Sequence, residues 1–189
     1  MATYQSESVS TEPGRFPRQG DIIKNVKINF FQSTGVILVE FPYVIILSQD
    51  CDLCWCFDSL EKTFDGTARD HDKIMPNILV SPLYIFAQFR NGEHLSSYFG
   101  HKMHIFSSKD TKEDIKSLRD NRNPRYHVFN FPTLTEIAES AMDFKHYYAM
   151  PPLDLLDQWK KNFVCSLLSP WKEHFNQRFI HYFARIGLP

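Results

Sequence analysis

No run of apolar residues in this 189-residue chain approaches the roughly 18 to 20 that a membrane-spanning helix needs, so no membrane partner is expected. Charge of one sign is not in excess: 21 lysines and arginines stand against 22 aspartates and glutamates, a formal net charge of −1. That balance excludes a whole-chain field drawing in nucleic acid or an anionic membrane and leaves only local patches to do so. Cysteine is scarce, four in all, and Cys51, Cys54 and Cys56 fall within six residues of one another. With no apolar signal segment at the start, a disulfide scaffold is not expected and a reducing cytoplasm is. Internal repeats and low-complexity segments are absent.

Hydrophobic residues make up 43% and aromatics 15% of the chain, enough to bury a core in one domain with an appended subdomain. Residues 1–19, rich in Ser, Thr, Gln and Glu with Pro13, Gly14 and Pro17, read as a flexible N-terminal tail. Residues 20–150 read as the main domain, with short strands at Ile22–Phe31, Val36–Phe41, Ile78–Ala87, His101–Phe106, Arg125–Phe131 and Asp143–Met150. Cys54–Asp72 reads as a long loop and Ser107–Arg122 as an inserted helix, while Pro82 marks an edge or a bulge. Residues 151–189 change period and predict a C-terminal subdomain of two helices. Leu156, Trp159, Phe163 and Leu167 share one helical face; Trp171, Phe175, Phe179, Tyr182, Phe183 and Ile186 share another. Tight turns between short strands point to an α+β fold built on a small antiparallel barrel.

The stretch Tyr43–Asp52, Y-V-I-I-L-S-Q-D-C-D, organises the rest. Val44, Ile45, Ile46 and Leu47 are too few for a membrane span and too β-branched for a typical helix, so they predict a strand buried on both faces. Its end delivers Ser48, Gln49, Asp50, Cys51 and Asp52 together, the natural place for a site.

Gly20-Asp21-Ile22 opening a strand, Pro42 to Ser48 as a later strand, and Asn77 to Pro82, N-I-L-V-S-P, resemble the MazF/PemK family of SH3-like barrels over residues 20–85. The resemblance implies an SH3-like barrel and, by extension, a ribonuclease on nucleic acid. Phe41 stands where that family has an arginine, and Leu83 and Tyr84 where a threonine is usual, so the toxin-type cation and proton-transfer partner are missing. Separately, S-Q-D-C-D and the tail from Arg178-Phe179 to the R-I-G-L-P of Arg185–Pro189 resemble a group of bacterial proteins of unassigned function, which implies no reaction.

Several constellations remain open. Cys51, Cys54, Cys56 and His71 outline a possible four-ligand zinc site, against which stands the commoner reading of incidental thiols. Cys51 as a nucleophile is opposed by Asp50 and Asp52, which disfavour its thiolate. Asp50, Asp52 and Asp143 could surround magnesium, or the first two could cap a turn. Arg125 and His127, alternating along a strand, would reach one side together, making them catalytic candidates beside Asp50, Cys51 and Asp52. Ser48 and Gln49 are binding candidates at the strand end. His174, Arg178, His181 and Arg185 cluster within about 40° on a helix, either a stripe for phosphates or an acidic partner or a solvated face.

Together these readings favour a non-catalytic binding or adaptor module of a bacterial accessory system, mobile-element, toxin-like or defence in kind, with a protein partner and no cofactor. A divergent MazF-like endoribonuclease or metal-assisted hydrolase is the alternative, with zinc or magnesium. Self-association through the aromatic C-terminal helices is a further expectation.

Overall fold

The computed structural model describes residues 8–33, 35–67, 71–106 and 112–184. The elements in order are β1 (Val9–Ser10), β2 (Asp21–Gln32), β3 (Gly35–Ile46), α1 (Asp50–Phe64), β4 (Ile78–Ile85) and the short α2 (Phe86–Arg90) and α3 (Ser96–Phe99). They continue with α4 (Lys112–Arg119), β5 (Tyr126–Phe129), β6 (Ser140–Asp143), β7 (Tyr148–Met150), α5 (Pro152–Asn162), β8 (Phe163–Leu167) and α6 (Trp171–Phe183). The fold is α+β. Eight antiparallel strands lie in the order β1-β8-β2-β3-β4-β6-β5, with β7 also on β4.

The sheet is open, not the closed barrel expected, because its two apolar faces are covered by other elements. Val44 and Ile46 of β3 pack with Leu53 and Phe57 of α1 and Leu155 and Trp159 of α5. Ile45 and Leu47 point the other way, into a cluster with Leu83, Phe129 and Phe175 of α6. The Val44–Leu47 ribbon is therefore buried on both faces as its composition predicts, each burial stabilising by about 1.5–3 kcal/mol, while Tyr43 at its start is half-buried.

Several boundaries differ from expectation. Cys54–Phe64 is not loop but most of α1, with Asp50 and Asp52 in its first turn, where carboxylates favour the helix dipole. Leu53, Cys56, Phe57 and Leu60 supply its inward face. The helix expected to run through Leu167 stops at Asn162, and Phe163–Leu167 becomes β8 because the edge of β2 at Asp21–Ile23 offers a hydrogen-bonding ladder. Part of the expected tail is built in: Val9–Ser10 pairs with β8, and Phe16 stacks on Phe57 at 5.8 Å. His101–Phe106 forms no strand; Met103 N and Phe106 N instead bond to Gly92 O and Arg90 O. Asp143–Met150 is not one strand, since Phe144–Tyr147 turns out between β6 and β7. The inserted helix is described from Lys112, and Ser107–Thr111, like Arg185–Pro189, lies outside the described residues.

Pro82 sits within β4 rather than on an edge. Leu47 N bonds Leu79 O, so by two-residue alternation the peptide groups of residues 79, 81 and 83 face β3, and that of Pro82 faces away. There it falls between the β7-paired residues 78–80 and the β6-paired 84–85, where no N–H is needed.

The β2–β3 hairpin reverses its side-chain parity midway. Asn25, at φ 52°, and Pro42 lie opposite one another without pairing. Ile23 and Val44 share an interior cluster with Val26 and Phe41, three residues further along each strand and not two or four. The far half of the hairpin consequently presents Lys27, Asn29, Leu38 and Glu40 to a groove of about 710 Å³ beside α5.

Candidate functional site

Of the S-Q-D-C-D end, Ser48 and Asp50 form an anchoring knot, while the side chains of Gln49 and Cys51 are exposed and do not join them in one site. Ser48 Oγ accepts Leu79 N at 2.9 Å, and Gln49 occupies the N-cap position of α1. Asp50 Oδ1 accepts Gln19 N at 2.7 Å, while Oδ2 takes Lys172 Nζ of α6 at 2.5 Å. Gln19 Nε2 returns to Leu47 O at 2.8 Å. Four elements distant in sequence are thus tied at one strand end. Beside the knot a recess of about 400 Å³ is lined by Arg15, Arg18, Lys172, Asp50, Cys54 and Asp58. Its charges are largely internally paired, Arg15 with Glu61 at 2.6 Å and Asp58 with Lys62. Asp58 is held below the usual carboxylate range by its bond from Lys62.

The three clustered cysteines do not converge. On α1, at 100° per residue, Cys51 and Cys56 point about 140° apart and Cys54 and Cys56 about 160° apart. Cys51 and Cys54 are exposed, whereas Cys56 is buried and accepts Met75 N at 3.3 Å. Burial raises the Cys56 thiol pKa. His71 lies exposed in a separate single turn, His71–Lys73. Asp50, Asp52 and Asp143 are not drawn together as a magnesium site, since Asp50 holds Lys172 and Asp143 holds Arg125. Among the described residues no group of three His, Cys, Asp or Glu could hold a metal ion.

Arg125 and His127 part company because Arg125 precedes β5 and lies in its turn. Arg125 grips Asp143 through Nε at 2.9 Å and Nη2 at 2.5 Å, which raises the guanidinium pKa. Asp143 also accepts Lys145 N at 3.0 Å and faces His146 Nε2 at 3.7 Å. His146 Nδ1 meets Tyr84 Oη at 3.0 Å, and the His94 ring lies 4.5 Å from that of Tyr84. Burial pushes His94 down to about 4, and its Nδ1 has no hydrogen-bond partner among the described residues. An Asp–His–Tyr chain can relay a proton, but this one runs inward: burial holds the Tyr84 phenol well above its ordinary value. Tyr84, His94 and His146 form no motif together in the sequence; the pairing of β4 with β6 and β7 brings Tyr84 to His146, and the segment between α2 and α3 lays His94 against Tyr84. His127 is fully buried beside Phe129 and Phe175, with desolvation keeping it neutral.

The expected cationic stripe on α6 is not a free stripe. Arg178 Nη2 donates to Asn123 O and Tyr126 O, both at 3.0 Å, fastening α6 to the turn before β5. His174 and His181 are exposed, and Arg185 lies outside the described residues.

The unsatisfied surface lies elsewhere, on the outer edge of β3. Lys27 N and O bond the side-chain amide of Gln158 at 2.7 and 3.0 Å, so Lys27 and, two residues on, Asn29 direct their peptide groups away from β3. Their cross-strand partners Glu40 and Leu38, and Val36 opposite Phe31, therefore direct theirs away from β2. Pairing with β4 reaches only to Tyr43, so among the described strands none meets that edge. Val36 and Leu38 are each 57% exposed and Ile37 39%. The sequence marks this segment as a strand, yet nothing in it tells an unpaired edge from a paired one.

The fold and these sites define an α+β domain with an anchored strand end, an inward polar chain and an open apolar strand edge. No described helix is long and apolar enough to cross a membrane. No protein-family model matches the chain, and no curated protein does.

Proposed function

We propose that the chain is a non-catalytic binding module that takes an extended segment of a protein partner along the outer edge of β3. The observation that carries this reading is the row of outward N–H and C=O groups at Val36, Leu38 and Glu40, flanked by exposed apolar side chains. Alternating donors and acceptors at strand spacing are matched by another extended backbone and by little else. Two of the candidate catalytic residues, Asp50 and Arg125, and the binding candidate Arg178 support the same reading from the other side, each being engaged in bonds that join elements. The resemblance of residues 20–85 to MazF/PemK barrels brings no reaction to this reading, since the arginine and threonine of that family are replaced by Phe41 and by Leu83 and Tyr84. A bacterial accessory system is the setting we propose.

One observation favours a second reading, an enzyme acting on nucleic acid. Arg125, paired with Asp143 yet partly exposed, lines a recess of about 480 Å³ together with His104, Phe106, Asn123 and Tyr126, which places a guanidinium beside the part-exposed Phe106 and the exposed His104 rings where a base could stack. Two assays separate the readings. Peptides selected from a random display library should bind the chain and lose binding on Leu38→Lys. Binders indifferent to that substitution would refute the edge reading, and cleavage of single-stranded RNA lost on Arg125→Ala in a chain still folded by circular dichroism would establish the enzyme.

A further inference from the structure

We infer that the strand accepted by the β3 edge is the same strand of a second copy of this chain, paired antiparallel about a two-fold axis at Leu38. This rests on the reading that the edge accepts an extended segment, and it names the occupant.

Three properties of the edge make it complementary to itself. The outward-facing residues are Val36, Leu38 and Glu40, an odd number with Leu38 at the centre. An antiparallel pairing that places Leu38 opposite its own copy puts Val36 against the second Glu40 and Glu40 against the second Val36. Every outward N–H then finds a C=O at strand spacing, the condition a C2 interface imposes.

Charge permits the arrangement. Glu40 is the single ionisable residue of Val36–Phe41, and its carboxylate lies 3.9 Å from Lys27 of its own β2. The two Glu40 side chains would be separated by four residues of rise, roughly 14 Å, which exceeds the screening length of about 8 Å at physiological salt. No like charges are opposed across the axis.

The edge is also unguarded. Strand edges that stay solitary are usually blunted by lysine, proline or a bulge. Here Pro42 and the Asn25 irregularity lie just beyond the free segment and end it, so they delimit the ladder and leave it open. The opposite edge of the same hairpin shows what protection looks like: at Lys27 the Gln158 side chain occupies both peptide groups. Val36 and Leu38 share one face, so pairing would oppose the two exposed Leu38 side chains directly and set each Val36 diagonal to the second Leu38.

A ladder this short is smaller than a standard obligate interface, so the dimer should be concentration-dependent. Sedimentation equilibrium of the full chain across a concentration series should give a monomer–dimer equilibrium. Leu38→Lys opposes two ammonium groups at the axis and should raise the dissociation constant roughly tenfold or more. Because Leu38 is exposed, this variant should keep the parent's circular dichroism spectrum. Ile180→Lys, on the exposed side of α6, tests the alternative of association through the C-terminal helices and should leave the equilibrium unchanged. Amide exchange of Val36, Leu38 and Glu40 in the parent should slow as the dimer forms. A chain monomeric at every concentration, or a dimer dispersed by Ile180→Lys and not by Leu38→Lys, overturns the inference. In either case the binding-module reading survives if selected peptides still bind the edge, and falls with it if they do not.

Discussion

Asp21→Asn should make the chain more stable at neutral pH, although it removes the carboxylate of the G-D-I opening. Asp21 is fully buried and ties three elements: Oδ2 accepts Arg18 N at 2.9 Å and Trp159 Nε1 of α5 at 2.7 Å, while Oδ1 accepts the Ser166 hydroxyl of β8. Despite these donors, desolvation dominates and raises its pKa from 3.8 to about 6. Below about pH 4 the group is protonated whether the chain is folded or not, so it exerts no penalty. Between 3.8 and about 6 the folded chain binds the extra proton, and stability falls as pH rises by up to about 1.4 kcal/mol per unit. Above 6 the penalty is complete at about 3 kcal/mol. Asparagine escapes it: its oxygen can keep Arg18 and Trp159, and its amide can donate to Ser166, whose hydroxyl rotates to accept. Urea unfolding of both chains from pH 4 to pH 8 reads the difference directly. The variant should gain on the parent through pH 4 to 6 and stay ahead above it. Comparison with the parent at each pH cancels the opposite slope from His94, whose lowered pKa makes acid destabilising. A variant that loses ground to the parent as pH rises would show that the ionised carboxylate is worth more than its desolvation costs.

Arg125→Ala should destabilise by about 3–5 kcal/mol in thermal or urea unfolding, since it strands the Asp143 carboxylate, only 3% exposed, without its cation. Adding Asp143→Asn should recover part of that loss, and a double-mutant cycle measures how much. Under native conditions a thiol reagent should label Cys51 and Cys54 quickly, and Cys56 and Cys165 only on unfolding, with Cys165 pushed up to about 12 chiefly by burial. Asp50→Ala releases Gln19 N and Lys172 and should cost roughly 1–3 kcal/mol, with faster proteolysis of residues 8–19 as the local readout.

Legibility followed the range of the interaction. Val44 to Leu47 announce a doubly buried strand because four consecutive β-branched or aliphatic residues have few other places to go. The inward face of α1 is equally present in Leu53, Cys56, Phe57 and Leu60, but the interspersed aspartates and cysteines interrupt the apolar period that marks a helix. Phe163–Leu167 misled for the opposite reason. It continues the helical spacing of α5, and only the waiting edge of β2, some 140 residues earlier, selects the extended form. The candidate site behaved similarly. Polar residues such as Asp50, Arg125 and Arg178 stand out in a sequence whether they serve a ligand or fasten two elements, and here each has a partner far along the chain.

The linear order of residues by itself determined the α+β class, the buried ribbon at Val44–Leu47, and the helical character of Leu153–Asn162 and Trp171–Phe183, all of which depend on periodicity and local preference. Tertiary structure alone decided that the sheet stays open, that Asp21, Asp50 and Arg125 act as ties, and that Val36–Glu40 is an edge unpaired among the described strands. Hydrogen-bond partners and desolvation are properties of neighbours in space, and no local pattern encodes which distant strand or helix those neighbours will be.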